Sequence, residues 1–275
     1  VRVVVTGGAG LVGRSVLGLA ERAGATAVAP SSSELDVRDR SAVLGLLRAA
    51  APDAVIHLAY RRAEHDTIVD GSAHVAEAAR VVGARLVHLS SDAIFAGRPA
   101  PYPDDARPDP VHDYGRAKAA AEQVVAAADP AAVLVRTSIV YATDRLAPCQ
   151  LDVLDALAGR TAMRFFTDEV RSVVEVDDLA AALWHLATRE LDRSGTLNVA
   201  GPEPVDRAGF ARLIAAWSGL DPGGVPTAVL EGSGLVRPGR VVLDTTVAER
   251  AGLGCRPVSA VLTPGAGVGF RPPTS

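Results

Sequence analysis

Lysine is almost missing from this chain: of its 28 basic residues only Lys118 is lysine and the rest are arginine. Cysteine is scarce too. Cys149 and Cys255 make neither a metal-ligand spacing nor a disulfide framework, so a reducing compartment is expected. Long hydrophobic runs are absent; the most apolar stretch, VVEVDDLAAALWHLA, carries charges every few residues and is too short to span a bilayer. There is no basic excess. A net charge of −4 gives no reason to expect nucleic acid or an anionic membrane as partner. The first residues, VRVVVTGGAG, read as a strand and a glycine loop and not as a leader, and the expected location is the cytoplasm.

What is present is ordinary for a globular protein: 275 residues, 48% hydrophobic and 22% charged, enough for one large α/β domain or a domain with a small lobe. The β-branched runs VRVVV (1–5), ATAVA (25–29), DAVIHLA (53–59), ARLVHLS (84–90) and AAVLVRT (131–137) predict buried parallel strands. Between them, LVGRSVLGLAERAG, RDRSAVLGLLRAAA, HDTIVDGSAHVAEAARVVG and YGRAKAAAEQVVAAAD predict helices, several ending at glycine or just before proline. This rhythm implies a doubly wound parallel sheet, the Rossmann form of the α/β class. Beyond residue 140 the rhythm weakens, with helices expected in QLDVLDALAG, DLAAALWHLATRE and DRAGFARLIAAWSG and strands in RSVVEV and TLNVA. The expected division is a dinucleotide-binding domain from residues 1–145 and 171–200 and a smaller substrate-binding lobe from 146–170 and 201–275. The Pro- and Asp-rich stretch 97–113 is long enough for a lid or rim.

Gly7, Gly10 and Gly13 follow the first strand in a G-x-x-G-x-x-G spacing and open the first helix. Glycines there permit a tight turn and close approach to a pyrophosphate, while the helix amino end offers free N–H groups. A structural turn would look the same in isolation; the place at the head of a βαβ unit points to a dinucleotide. Leu11, Val12 and Arg14 belong to the same loop, and Leu58 and Ala59, ending the third strand, are assigned to the same site. NAD sites usually carry an acid at the end of the second strand, but here VAPSSSELD puts Ser31, Ser32 and Ser33 before Glu34. NADP(H) is favoured, with NAD(H) the alternative, and Arg14 is a candidate for the 2′-phosphate. Asp36 and Val37 fall beside the adenine.

Tyr114 and Lys118 are four residues apart and share one helix face. A cation beside a tyrosine favours the phenolate and lowers its pKa, which suits acid–base work. A solvated helix face is the plain alternative. Against it stand the rarity of both residue types and the strand end LVHLSSDAIF, where Ser91 could hold a carbonyl oxygen while Tyr114 moves the proton.

TGGAGLVG, SSDAIFAG and YGRAK together resemble the cofactor loop, serine segment and Tyr-x-x-x-Lys signature of the extended short-chain dehydrogenase/reductases, over nearly the whole chain. The resemblance implies an NAD(P)-dependent oxidoreductase acting on a nucleotide-linked sugar, with Ser91, Tyr114 and Lys118 catalytic and Asp36 at the adenine. RSVVEVDDLA and RPGRVVLD resemble stretches where the family sets arginines on the substrate diphosphate, here Arg171 and Arg237. In so arginine-rich a chain, each alone reads as a surface residue. The nearest subgroup resembled is that of the dTDP-4-dehydrorhamnose reductase-like sugar-nucleotide reductases. Sugar 4,6-dehydratases carry a glutamate after the aspartate of the serine segment; Ala93 stands there, which argues against dehydration. The reductase subgroup usually has a tyrosine at that place and a tryptophan after RTS, so Ala93 and Ile139 are departures. Ser91, Asp92, Ala93, Ile139, Arg171 and Arg237 are the expected substrate contacts.

The expected reaction is reduction of a keto group on a nucleoside diphosphate sugar of the dTDP-4-keto-6-deoxyhexose kind. One alternative is a sugar-nucleotide 4-epimerase that retains NAD; another is a redox-silent regulatory or binding protein on the same fold. A homodimer through the helix bearing Tyr114 is also implied by the resemblance. Six histidines make no tight ligand cluster, and no metal is expected; His57 and His88, ending adjacent strands, are expected to be hydrogen-bonded near the cofactor. The pairs Asp104–Asp105 and Asp177–Asp178 read as a solvated loop and a helix start. Ser91 lacks the setting of a hydrolase nucleophile, and Trp184 and Trp217 read as core.

Overall fold

The computed structural model describes residues 1–190 and 192–269. In chain order the first half holds β1 (Arg2–Thr6), α1 (Leu11–Arg22), β2 (Thr26–Val28), α2 (Arg40–Ala50), β3 (Ala54–His57), α3 (His65–Ile68), α4 (Asp70–Val82), β4 (Arg85–Leu89), α5 (Asp113–Ala128) and β5 (Val133–Arg136). The second half holds β6 (Val140–Tyr141), α6 (Pro148–Leu157), β7 (Phe165–Phe166), β8 (Val170–Arg171), β9 (Val174–Glu175), α7 (Val176–Thr188) and β10 (Gly195–Asn198). It closes with β11 (Val205–Asp206), α8 (Arg207–Trp217), β12 (Thr227–Ala228), α9 (Thr246–Arg250) and α10 (Val258–Val261).

Six strands form a parallel sheet in the order β10-β5-β4-β3-β1-β2. Strand side chains alternate between faces, so nearly continuous apolar strands feed two cores. Val3, Val5, Ile56, Val87 and Val135 meet α1 and α7 on one face. Val4, Val55, Leu86 and Leu134 meet α2, α4 and α5 on the other. The doubly wound expectation holds. The chain leaves β1 toward β2 on one side and β3 on the other, and at such a switch point a crevice opens beyond the carboxyl ends of the strands.

A further apolar cluster lies outside the sheet, where Tyr141, Val153 and Phe165 pack on Phe210, Ile214 and Trp217 of α8. Residues 270–275 of the expected lobe lie outside the described residues. Three local expectations are corrected. The single helix expected over 65–83 breaks at Val69 into α3 and α4. RSVVEV forms two short strands, β8 and β9, in different sheets. The stretch 97–113 is no free lid: Tyr102 bridges to Leu243, and Arg136 donates to the carbonyls of Asp104 and Ala106 at 2.9 Å each. Asp104, expected in a solvated loop, accepts from the Asn198 N–H at 2.7 Å and fastens that stretch to the sheet edge.

Candidate active site

The glycine loop sits at the switch point. Gly7 has φ +73°, and a Cβ there would lie 2.8 Å from the Ala59 nitrogen, so only glycine lets the loop pass over the end of β3. A Cβ on Gly13 would overlap the Gly7 carbonyl, which explains why α1 can start flush against the loop. A groove of about 320 Å³ opens above, lined by Gly7, Gly10, Ser31, Asp36, Val37, Leu58 and Ala59 among others. Leu11, Val12, Gly13 and Arg14 do not line it. Arg14, expected on a 2′-phosphate, points to solvent from the first turn of α1; the arginines on the groove wall are Arg38 and Arg61. Arg38 grips Asp36 (2.6 Å) and pulls its carboxyl down to about 2. Tyr60 also lines the groove. Sequence reading missed these three, although Arg38 lies two places beyond the Asp36 it singled out. A larger depression of about 610 Å³, between the carboxyl ends of α2 and α4, opens beside the amino ends of β3 and β4, away from this crevice.

Beneath the loop runs a buried hydrogen-bond chain. The Ser72 hydroxyl donates to the Ile68 carbonyl (2.6 Å), so it must accept from His57 Nε2 (3.1 Å). His57 Nδ1 is then the acceptor of the Thr6 hydroxyl at 2.6 Å. Burial, with the nearby Lys118 charge, pushes His57 down to about 3, so it stays neutral. The chain fixes β1 against β3 directly below Gly7. His88 corrects its expectation: its ring lies 5.2 Å from that of His57, but neither of its nitrogens has a hydrogen-bond partner among the described residues.

Ser91 follows β4 and caps a short 3₁₀ turn, its Oγ accepting from the Ala93 N–H at 3.2 Å. His112 caps α5 by accepting from the Gly115 N–H (3.0 Å). A Cβ on Gly115 would overlap the Ala93 carbonyl oxygen, so glycine lets α5 begin against the serine turn and brings Tyr114 to Ser91. Burial pushes the Tyr114 phenol well above its ordinary value; nearby Tyr60 adds to this, while a hydrogen bond with Ser91 and the charge of Arg62 oppose it. The cation over the Tyr114 ring is Arg62, at 5.2 Å. Lys118, expected to lower this phenol, lies deeper, one turn on. It is 5% exposed, donates to the Leu89 carbonyl at 2.8 Å, and is pushed down to about 8 by burial. The phenol is thus neutral.

Asp92 is buried and accepts from Ser138 (2.6 Å); Arg171 Nε lies 3.8 Å from it, and burial pushes its carboxyl up. Arg171, expected as an open phosphate fork, is also buried, and it donates to the Val170, Gly239 and Pro238 carbonyls and to Glu169. Arg237 is half-exposed beside Glu169. Ile139 packs against the cluster around α8. Asp177 and Asp178 occupy the first turn of α7, and Trp217 is core while Trp184 is half-buried against the α7 core. Among the described residues, no helix is long and apolar enough to cross a membrane, and no group of three His, Cys, Asp or Glu residues could hold a metal.

Comparison with known proteins adds names to this geometry. The family described as RmlD substrate binding domain matches residues 1–258. Curated relatives include dTDP-4-dehydrorhamnose reductases of Mycolicibacterium smegmatis (33% identical; 80% of this chain, 70% of that protein) and Mycobacterium tuberculosis (35%; 80% and 77%). The methionine adenosyltransferase 2 subunit beta of Bos taurus is 27% identical over 93% of this chain and 84% of its own. Among solved structures, dTDP-4-dehydrorhamnose reductase from Bacillus anthracis, crystallised with NADP, superposes with a TM-score of 0.83 at 23% identity, covering 95% of this chain and 96% of that one. That likeness shows a shared fold.

Proposed function

Because the chain belongs to the family of the RmlD substrate binding domain, we propose that it is an NAD(P)H-dependent reductase of a keto group on a nucleoside diphosphate sugar, of the dTDP-4-keto-6-deoxyhexose kind. The observation that carries this is the neutral, half-buried Tyr114 phenol hydrogen-bonded with Ser91, its ring 6.1 Å from that of Tyr60 on the groove wall. The groove suits a dinucleotide: the side-chain-free Gly7, Gly8 and Gly10 line it together with Leu58 and Ala59 at the end of β3. Bound there, the reduced nicotinamide supplies the hydride. Ser91 Oγ orients the substrate carbonyl, and Tyr114 Oη gives its proton to the oxygen as negative charge develops on it. Lys118, which the Leu89 carbonyl holds, donates to a ribose hydroxyl of the bound cofactor in this reading. NADP(H) is the favoured form, since the wall near Ser31 and Asp36 carries Arg38 and Arg61.

The sugar nucleotide falls to the lobe of residues 146–170 and 201–275, and the protein acts in the cytoplasm as a homodimer paired through α5, with light scattering as the test of the dimer mass. The reaction is tested by following NADPH and NADH oxidation with dTDP-4-keto-6-deoxyglucose and its 3,5-epimer. Oxidation dependent on the sugar nucleotide is expected; none with either substrate, in protein that binds NADPH, overturns the reading.

A further inference from the structure

We propose that Arg62 is a positioning residue for Tyr114, its guanidinium stabilising the phenolate that remains when the phenol proton passes to the substrate oxygen. This rests on the reading of Tyr114 as the proton donor. The chain leaves β3 through Tyr60 and turns soon after. The Glu64 N–H donates to the Arg61 carbonyl at 2.9 Å, and the Arg61 and Glu64 side chains join at 3.1 Å. Arg62 is the second residue of that clasped turn, so its side chain leaves from the corner. It ends over the Tyr114 ring, 5.2 Å from the centroid, within the reach at which a cation is attracted to the face of an aromatic ring. The other two arginines of this rim are engaged by carboxylates, Arg38 by Asp36 and Arg61 by Glu64. Arg62 is exposed and has neither a carboxylate nor a hydrogen-bond partner among the described residues.

No other cation is so placed among the groups around the phenol. His112 stacks on the same ring at 6.3 Å, but its Nδ1 accepts from the Gly115 N–H at 3.0 Å, which requires an unprotonated nitrogen there. Arg116 pairs with Asp113 on the same helix. Lys118 sets its Nζ on the Leu89 carbonyl and 5.3 Å from the Tyr60 ring. On α3 and α4, which pack on α5, His65 and Asp66 pair with each other at 3.7 Å and Asp70 is exposed. The serine turn contributes Ser91, hydrogen-bonded with the phenol, and Asp92, whose charge opposes ionisation as burial does. In the transfer the Oη–H bond breaks, a bond to the carbonyl oxygen forms, and the electron pair stays on the phenolate and spreads into its ring. A cation over that ring is held more strongly after the transfer than before it, so its effect falls on the barrier and not on the ground state. Solvent later returns the proton.

The test follows Tyr114 without any substrate. The full chain is labelled with difluorotyrosine, whose phenol ionises at lower pH than that of tyrosine, and fluorine NMR follows the Tyr114 signal, assigned by its loss in Tyr114→Phe. Arg62→Gln should raise the proton affinity of that phenol about threefold to tenfold, with part of the change recovered in Arg62→Lys. Arg61→Gln, which removes a cation equally exposed but not over the ring, should change it less than about twofold. Turnover of dTDP-4-keto-6-deoxyglucose with NADPH should fall in Arg62→Gln by about the factor seen in the titration while the NADPH dissociation constant stays within about twofold, a split that a folding defect does not give. An unmoved Tyr114 titration in Arg62→Gln, or an equal shift in Arg61→Gln, overturns the assignment. A shifted titration in a protein that turns over no sugar nucleotide supports Arg62 as the partner of the phenol and overturns the reductase reading alone.

Discussion

Lys118 and Arg171 are buried to nearly the same depth, 5% and 6% exposed, yet the first has one carbonyl as hydrogen-bond partner and the second has four acceptors. Around Arg171 the chain brings together β8, the carbonyls of Pro238 and Gly239, and two carboxyls, so the cation ties segments that are far apart in sequence. Around Lys118 it withholds such partners. Glu122, one turn further along α5, is taken by Arg136 at 2.7 Å, and the imidazoles of His57 and His88 are kept neutral by burial. A buried cation with four of its five donors engaged holds structure in place. One left short of partners is available to a ligand, and the protein carries the cost of keeping it so.

Removing each side chain separates the two cases. Arg171→Leu removes the buried cation beside Glu169 and Asp92 and should lower unfolding free energy by about 3–5 kcal/mol in a urea titration. Full stability in that variant would break the contrast. Lys118→Met should act in the opposite direction at pH 7, raising stability by roughly 2 kcal/mol after loss of the Leu89 bond while turnover falls. The sign follows from linkage. The folded ammonium is pushed down to about 8 from an ordinary value of 10.5, so the unfolded chain binds more protons between these values. Wild-type stability therefore gains on the variant as pH rises through that window, overtakes it by the contribution of the Leu89 bond, and stops gaining above it. Parallel curves would show that the ammonium is well solvated. A smaller effect is expected at the groove wall: Arg61→Ala should weaken NADPH about fivefold, and Arg14→Ala less than about twofold, by fluorescence titration.

Much of this was legible in the sequence, for a physical reason. The two-residue alternation of Val3, Val4 and Val5 assigns side chains to opposite faces of one sheet, and the Tyr114–Lys118 spacing assigns two groups to one helix face; both patterns are local. The burial of Arg171 is not local. It depends on carbonyls 67 and 68 residues away, and in a chain with almost no lysine one arginine looks like another. The same holds for the stretch 97–113, whose anchors come from β5 and β10. Proline and aspartate announce a loop but cannot say what will fasten it. His88 had the look of a bonded histidine because its neighbour in register, His57, is one.

The most direct test of whether Tyr114 does chemistry is Tyr114→Phe, assayed side by side for NADPH binding and for sugar-nucleotide-dependent NADPH oxidation. Loss of one proton donor with the ring kept should leave the NADPH dissociation constant within about threefold and cut turnover by about 10²–10⁴. Unchanged turnover would contradict the proposed role. Absence of turnover in both proteins, with cofactor binding intact, would favour a redox-silent protein on this fold.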